Sequence, residues 1–432
     1  MELRSIITGI LLCWCSTLYL YDKITQQAID YHVHKLQESD TELPSDRLIF
    51  DRGCHYTMLG KTDEARECFH KLVRNNPTNI SALYNIGYTY KMDGFFEEAK
   101  RYFKKTLSLK PSHENAQLAL SFALLQEEKF AEGWKEHLRS RNATGKGAPR
   151  LQHLLEQHDS LQGKTILIIY EGGLGDTLQF VRYAYYLKLR GAYVIALIQK
   201  PLIPLLQRSP FLDEVFPFEG QLPPHDASVS CMALPALLSI NATTAIPLMP
   251  YLFPSEELIT YWKQRIPKTK LAIGISWNSS IYNDKSRPPV AHRSIPLPFF
   301  KALASLPHIQ LYSLQKDEYA QHDLEEEEWM KSIIHFDDFD TIHGPFMDTA
   351  AIISCLDLII SVDTALPHLA GGIGKTTLLL LPYSTDWRWP AHKNSCIWYP
   401  SLHLFQQPEP FDWKSVMNEV TKYVQSLVCC TS

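Results

Sequence analysis

The chain has 432 residues, 45% of them hydrophobic and 21% charged, with a formal net charge of -5. That length exceeds one ordinary hydrophobic core, so two or three domains are expected. No basic excess exists to attract a phosphate backbone, which sets nucleic acid aside as a partner.

At the N-terminus, Ile6 to Tyr21 runs sixteen residues without a charge, after Arg4 and before Asp22 and Lys23. A membrane-spanning helix wants about 20 apolar residues, and no clear small-x-small cleavage site follows. Residues 1–45 form a hydrophobic N-terminal helical segment by this reading, and three roles for Ile6–Tyr21 stay open: a membrane anchor, a buried or partner-facing helix, and a signal peptide. The last four residues, Cys429 to Ser432, formally fit a prenylation box, but Thr431 stands where an aliphatic residue belongs. The nine cysteines are scattered, odd in number and without a Cys-x-x-Cys pair. They read as reduced thiols of a cytoplasmic protein, not as a disulfide frame or a zinc site.

Residues 46–147 repeat. Gly53 and Gly87, Tyr56 and Tyr90, Gly60 and Gly94, Ala65 and Ala99, Phe69 and Phe103, and Pro77 and Pro111 each lie 34 apart. That is the tetratricopeptide period, a pair of antiparallel helices per unit. Small Gly53 and Ala65 permit close helix approach, Tyr56 and Phe69 fill the space between units, and Pro77 stops the second helix. A fainter third unit carries Leu120, Phe130 and Trp134 on its apolar face; terminal repeats drift because one side meets something new. Residues 148–163 read as a polar, partly helical linker.

From Thr165 the pattern becomes strand, helix, strand. TILIIY is followed by the glycine-rich EGGLGDTLQFVRYAYYLKLRG and then YVIALIQ, with EVFPF and ASVSCM as further short strands. After the proline-rich 246–254 a second series begins: LAIGISW, IQLYSLQ, LDLIISVD and TTLLLLPY. The fold class expected is a helical repeat array followed by α/β, with Rossmann-like halves over 164–255 and 268–428 and a cleft between them.

GGIGKTT, from Gly371 to Thr377, suggests a phosphate-cradling loop, but Leu369 stands where the motif needs glycine. Its order is also reversed. A short helix should begin at Thr364, and GGIGK should be its exit, leading into the strand TTLLLL. The anion-binding end of that helix is then Asp363, Thr364 and Ala365.

EGGLGDTLQFVRY, SVDTALPHLAGGIGK and LLLPYSTDWRW, in that order behind the repeats, resemble bacterial tetratricopeptide proteins fused to a domain similar to the lipopolysaccharide heptosyltransferases of glycosyltransferase family 9, of GT-B fold. A repeat array before a GT-B domain is also similar to the O-linked N-acetylglucosamine transferases. The resemblance implies an inverting transferase that uses a nucleotide-sugar as co-substrate and no metal or other cofactor. Its general base would be Asp176, in a loop where Gly173 and Gly175 let backbone approach the substrate. Asp363, Thr364, Ala365 and His368 would line the donor site. Asn278, Lys285, Arg293 and Ser294 follow LAIGISW, where the family places a cation for the leaving diphosphate, and Gln315 and Lys316 end the next strand. Asp386 and Arg388 read as a structural pair over Trp387 and Trp389. The D-x-D of Asp338 to Asp340 is not expected to hold a metal. The partners implied are a nucleotide-sugar donor and a protein or glycan acceptor recognised with the repeats. The other class of reading is a non-catalytic scaffold that binds a protein.

Overall fold

The computed structural model describes residues 18–39, 45–143, 145, 148–158, 160–219, 222–245, 249–267, 270–279, 289–316, 320–325 and 327–431. Of the apolar N-terminal run, 6–17 lies outside the described residues and 18–21 opens helix α1 (Leu18–Ser39). No described helix is long and apolar enough to cross a membrane.

Three helix pairs form the repeat array: α2 (Asp46–Met58) with α3 (Thr62–Asn75), α4 (Ile80–Met92) with α5 (Phe96–Leu109), and α6 (Glu114–Gln126) with α7 (Phe130–Ala143). Each first helix starts at a side chain that accepts from a backbone N–H three residues on: Ser45 at 3.2 Å, Asn79 at 3.0 Å and His113 at 3.1 Å. These caps keep the repeat spacing through the third unit. Within a pair, glycine admits a ring: a Cβ at Gly53 would stand 2.6 Å from Phe69, and one at Gly87 2.8 Å from Phe103. In the third unit Ser121 and His137 occupy those two places, with hydroxyl and imidazole 3.5 Å apart. Glu128 takes the turn position of Gly60 and Gly94 and keeps their positive φ. The third repeat has thus changed its residues while keeping its shape.

The expected linker is no free tether. Leu151, Leu154 and Leu155 give helix α8 (Pro149–Gln157) one apolar face, and Leu151 and Leu161 are fully buried in the core shared with the α/β region.

Two parallel sheets follow. The first has order β3-β2-β1-β4, from β1 (Thr165–Ile169), β2 (Tyr193–Ile198), β3 (Glu214–Pro217) and β4 (Ala227–Ser230). Helix α9 (Leu174–Phe180) leaves β1. The second has order β6-β5-β7-β8-β9, from β5 (Leu271–Ser276), β6 (Ile309–Ser313), β7 (Leu358–Val362), β8 (Thr377–Leu381) and β9 (Leu402–Gln406). Helices α10 (Met347–Cys355) and α11 (Ala365–Ile373) flank β7, and α12 (Trp413–Thr431) closes the chain. This is the array followed by twin α/β halves that the sequence leads one to expect. Strand β9 escapes the pattern because it is a short edge strand interrupted by His403 and Gln406.

One hydrophobic cluster runs through the third repeat, α8, the first sheet and the Trp387–Tyr399 region, while the opposite side of the second sheet packs with α12. At the seam, Phe122 stacks on Trp387 at 5.4 Å, and Trp134 meets Trp387 edge-on at 5.8 Å. His137 sits in this seam, buried, beside Trp134 and Phe122. Burial, then Arg141 and Arg388, push its imidazole down to about 3.

The sign of the resulting pH dependence is fixed. As pH falls through 6.5 the unfolded imidazole takes up a proton, and the folded one does not until about 3. Stability present above 6.5 is therefore lost across that window, at up to about 1.4 kcal/mol per pH unit. Urea unfolding at pH 7.5 and pH 5 should show a smaller acid loss for His137→Phe than for the wild type; equal losses would contradict this.

Candidate functional site

Both sheets reverse the order in which strands are added beside the same space. In the first, the chain leaves β1 for β2 and β3 and returns on the other side as β4. In the second, it leaves β5 for β6 and returns as β7. Such a reversal opens a crevice past the carboxyl ends of the strands. The loops after β1, β5 and β7 enter one cavity of about 820 Å³, lined from the first half by Gly173–Asp176 and from the second by Asn278, Arg293, Lys316 and Asp363–Leu366.

Asp176 lies in the first turn of α9. Its Oδ2 accepts from the Gly173 N–H at 2.7 Å. The turn requires glycine one residue earlier: Gly172 has φ +78°, and a Cβ there would stand 2.3 Å from that same oxygen. The other carboxylate oxygen accepts from the guanidinium of Arg388, which reaches over from the second half. Arg388 is buried and also donates to Asp386 Oδ1 at 2.9 Å and to Gln179 Oε1. The sequence pairs Asp386 with Arg388 as structure. They do pair, and both also line the cavity. The signal available was position: TDWRW follows the carboxyl end of β8, the side on which ligands sit.

Opposite Asp176, Thr364 caps α11, its Oγ1 accepting from the Leu366 N–H at 3.3 Å. Asp363 faces Arg293 at 3.5 Å. The starts of α9 and α11 touch: a Cβ on Gly175 would be 2.8 Å from the ring of His368. His368 is buried, stacks on Trp389 at 5.6 Å and meets the Tyr399 hydroxyl through Nδ1 at 2.9 Å. Burial first, then Arg388 and Arg182, hold it well below the ordinary histidine range. It is a neutral ring, offering shape and hydrogen bonding rather than positive charge.

The remaining candidates divide. Gln315 lines the cavity, but its Oε1 accepts from Ser276 Oγ, Trp277 N and Asn278 N at 2.9, 3.1 and 3.0 Å, locking the exit of β5. Asn278 lines it too and donates to Asp323 at 3.2 Å. Ser294 is not among the lining residues; its Oγ accepts from the Ser279 N–H at 2.7 Å, so it shapes the loop rather than the wall. Lys316 is exposed and donates to the Phe339 carbonyl. Lys285 lies outside the described residues.

The D-x-D carboxylates serve different ends. Asp338 pairs with Arg265 at 2.6 Å. Asp340 accepts from the N–H groups of Asp348 and Thr349 at 2.8 and 3.0 Å, capping α10. Among the described residues no group of three His, Cys, Asp or Glu is placed to hold a metal ion. In GGIGK the helix runs further than expected. Only Gly374 ends it, with φ +86°, whereas Gly371 and Gly372 lie inside α11 against Tyr399 and Leu252. Lys375 donates to the Ser354 carbonyl at 3.2 Å, away from the cavity wall.

Residues 80–113 match the model of the tetratricopeptide repeat, and this part of the chain is such a repeat. The chain is 24% identical over 332 residues to Protein FlbA of Caulobacter vibrioides, covering 70% of this chain and 54% of that one, so it spans about half the length of that relative. Among solved structures, it is similar to the ADP-heptose lipopolysaccharide heptosyltransferase II of E. coli, with 13% identity, a TM-score of 0.42, and coverage of 62% of this chain and 99% of the other. A glycosyltransferase family 9 protein of Veillonella parvula gives 12% identity, a TM-score of 0.41, and coverage of 62% and 90%.

The glycine loop is testable by stability alone. Gly172→Ala should cost about 1–2 kcal/mol through its left-handed backbone, with the carboxylate contact added. Gly173→Ala, whose Cβ would stand 3.7 Å from Asp176 at ordinary φ, should cost less than half as much. Equal losses in denaturant would refute the assigned geometry.

Proposed function

We propose that this chain is an inverting glycosyltransferase that takes a sugar from a nucleoside-diphosphate donor. One observation carries the reading: a carboxylate from the first half and a capped helix start from the second face a common cavity that also holds Arg293, Lys316 and Arg388. The motif resemblance described above supports it.

In this reading the acceptor hydroxyl attacks the anomeric carbon from the Asp176 side. The new C–O bond forms as the bond to the diphosphate oxygen breaks, and the hydroxyl proton passes to Asp176. The diphosphate leaves with the electron pair. Its charge is met by the N–H groups at the start of α11 and by Arg293 and Lys316, fixed donors in a site that need not reorganise. Gly173 and Gly175 keep the loop low enough for the sugar to approach. His368 and Asn278 complete the donor wall, with Ser294 and Gln315 setting the loop behind it. Charge neutralisation by these side chains makes a divalent metal unnecessary. The acceptor is a glycan or a protein, recognised together with the repeats.

A second reading, a non-catalytic scaffold that binds a protein partner, is favoured by a specific feature: both oxygens of Asp176 already have donors, Gly173 N–H and Arg388. Such an aspartate could be purely structural. Against this, its side chain keeps 24% of its surface open, leaving room for a hydroxyl at a further lone pair.

Calorimetry and turnover assays with ADP-, UDP-, GDP- and CDP-sugars separate the two. The transferase reading expects one donor class to bind, and Asp176→Asn to reduce transfer at least 1,000-fold while leaving donor affinity within about threefold, in keeping with loss of a general base. A scaffold would bind no donor. Undiminished turnover by Asp176→Asn would remove it as the base.

A further inference from the structure

We infer that Gln126, at the end of the repeat helix α6, is a positioning residue for Asp176, acting through the turn Thr385–Trp389 and Arg388. The inference rests on the transferase reading above.

Gln126 is buried, and its Nε2 donates to both ends of that turn, to Thr385 Oγ1 and to the Trp389 carbonyl, at 3.0 Å each. The Thr385 hydroxyl itself donates to the Trp389 carbonyl at 3.3 Å, so one amide group from the repeats closes a five-residue loop of the other domain. One helical turn before Gln126, Phe122 lies flat on Trp387, at 5.4 Å and 8°. The array therefore grips the turn at three places: two hydrogen bonds at its ends and a stacked ring at its centre.

The turn's two charged residues reach the site, although Asp386 also lies near Lys91 of the second repeat. Asp386 and Arg388 line the cavity, and Arg388 holds Asp176. Asp386 also fixes the guanidinium from within the turn, accepting from the backbone N–H of Arg388 at 3.1 Å and from its Nη1 at 2.9 Å. Alternation along the turn thus puts Trp387 into the repeats and its two charged neighbours into the site. A small rotation of the turn would displace Arg388, and the carboxylate would follow, because its orientation depends on that contact and on the Gly173 N–H. Gln126 touches neither substrate nor base; its effect travels through Arg388.

The test uses the full chain. Gln126→Glu keeps the size but sets a carboxylate against the Trp389 carbonyl, and Gln126→Met removes both donors at similar volume. Phe69→Leu, in the first repeat, serves as a control for loss of stability without contact to the turn. With the donor found for the wild type, both Gln126 variants should lower kcat by 10-fold or more with the donor KM within threefold, while Phe69→Leu leaves kcat within twofold. In an Arg388→Lys background, Gln126→Glu should cost less than threefold, since its route is already cut. Hydrogen exchange of the 172–180 backbone, which needs no turnover, should speed up in Gln126→Glu and not in Phe69→Leu. Wild-type kcat and exchange in both Gln126 variants would overturn the inference, as would an equal loss in either Arg388 background. Absence of transfer by the wild type, or full activity of Asp176→Asn, would instead overturn the transferase reading beneath it.

Discussion

The guanidinium of Arg388 is the constraint around which the α/β region is arranged. It is buried between the halves, held by Asp386 of its own turn and by Asp176 and Gln179 of α9. An arginine out of water is costly unless it is matched, and two carboxylates and an amide oxygen match this one. Two sheets that could slide past one another are thereby fixed at one point. A second buried arginine reinforces it: Arg182 lies between the rings of Tyr251 and Tyr399, 4.5 and 4.4 Å from its carbon, and donates to the Trp398 carbonyl at 2.8 Å.

The same fixation reaches the repeats. Arg141 of α7 pairs with Glu171 in the loop that leads to Asp176, and Asp93 of the second repeat accepts from Tyr383 at 3.0 Å. A Cβ on Gly60 would stand 2.7 Å from Pro410, and one on Gly94 3.2 Å from His392, so the turns of the first two repeats also lie against the α/β part. The turns of the first two repeats are seated on the second half, and the third unit is adapted to pack against both halves. Its packing position holds a histidine, and its left-handed turn holds a glutamate that pairs with Lys393 at 3.0 Å.

Much of this is written locally in the chain. The repeat period, the continuous apolar strands and the glycines after β1 depend on near neighbours, and they can be read without knowing the fold. The reversal of P-loop order in GGIGKTT is also local: it makes GGIGK the exit of a helix, and Gly374 does end α11. What is not local is not legible. Gln126 meets Thr385 across 259 positions, and nothing around either residue announces the other. Arg388 reads as a partner for Asp386 because that aspartate is two residues away; its bond to Asp176 belongs to the tertiary structure. Ser294 is a candidate by resemblance and Gln315 by its place at a strand end, yet their polar atoms are taken up by the neighbouring loop, Ser294 by the Ser279 N–H and Gln315 by Ser276 and the backbone at 277–278. The third repeat is intermediate. Ser121 and His137 are visible as substitutions at the repeat spacing only once the glycine–phenylalanine contact in the first two units is known to be a contact.

In the transferase reading, Asp176 and the start of α11 look onto one ligand from opposite sides. The structure of the full chain with a nucleoside diphosphate bound tests it most directly, the nucleotide being chosen from ADP, UDP, GDP and CDP by calorimetry. The diphosphate should lie within hydrogen-bond reach of the backbone at 364–366 and of Arg293, with the Asp176 carboxylate across an open gap the size of a sugar ring. A diphosphate held elsewhere, or a closed wall between it and Asp176, would contradict it.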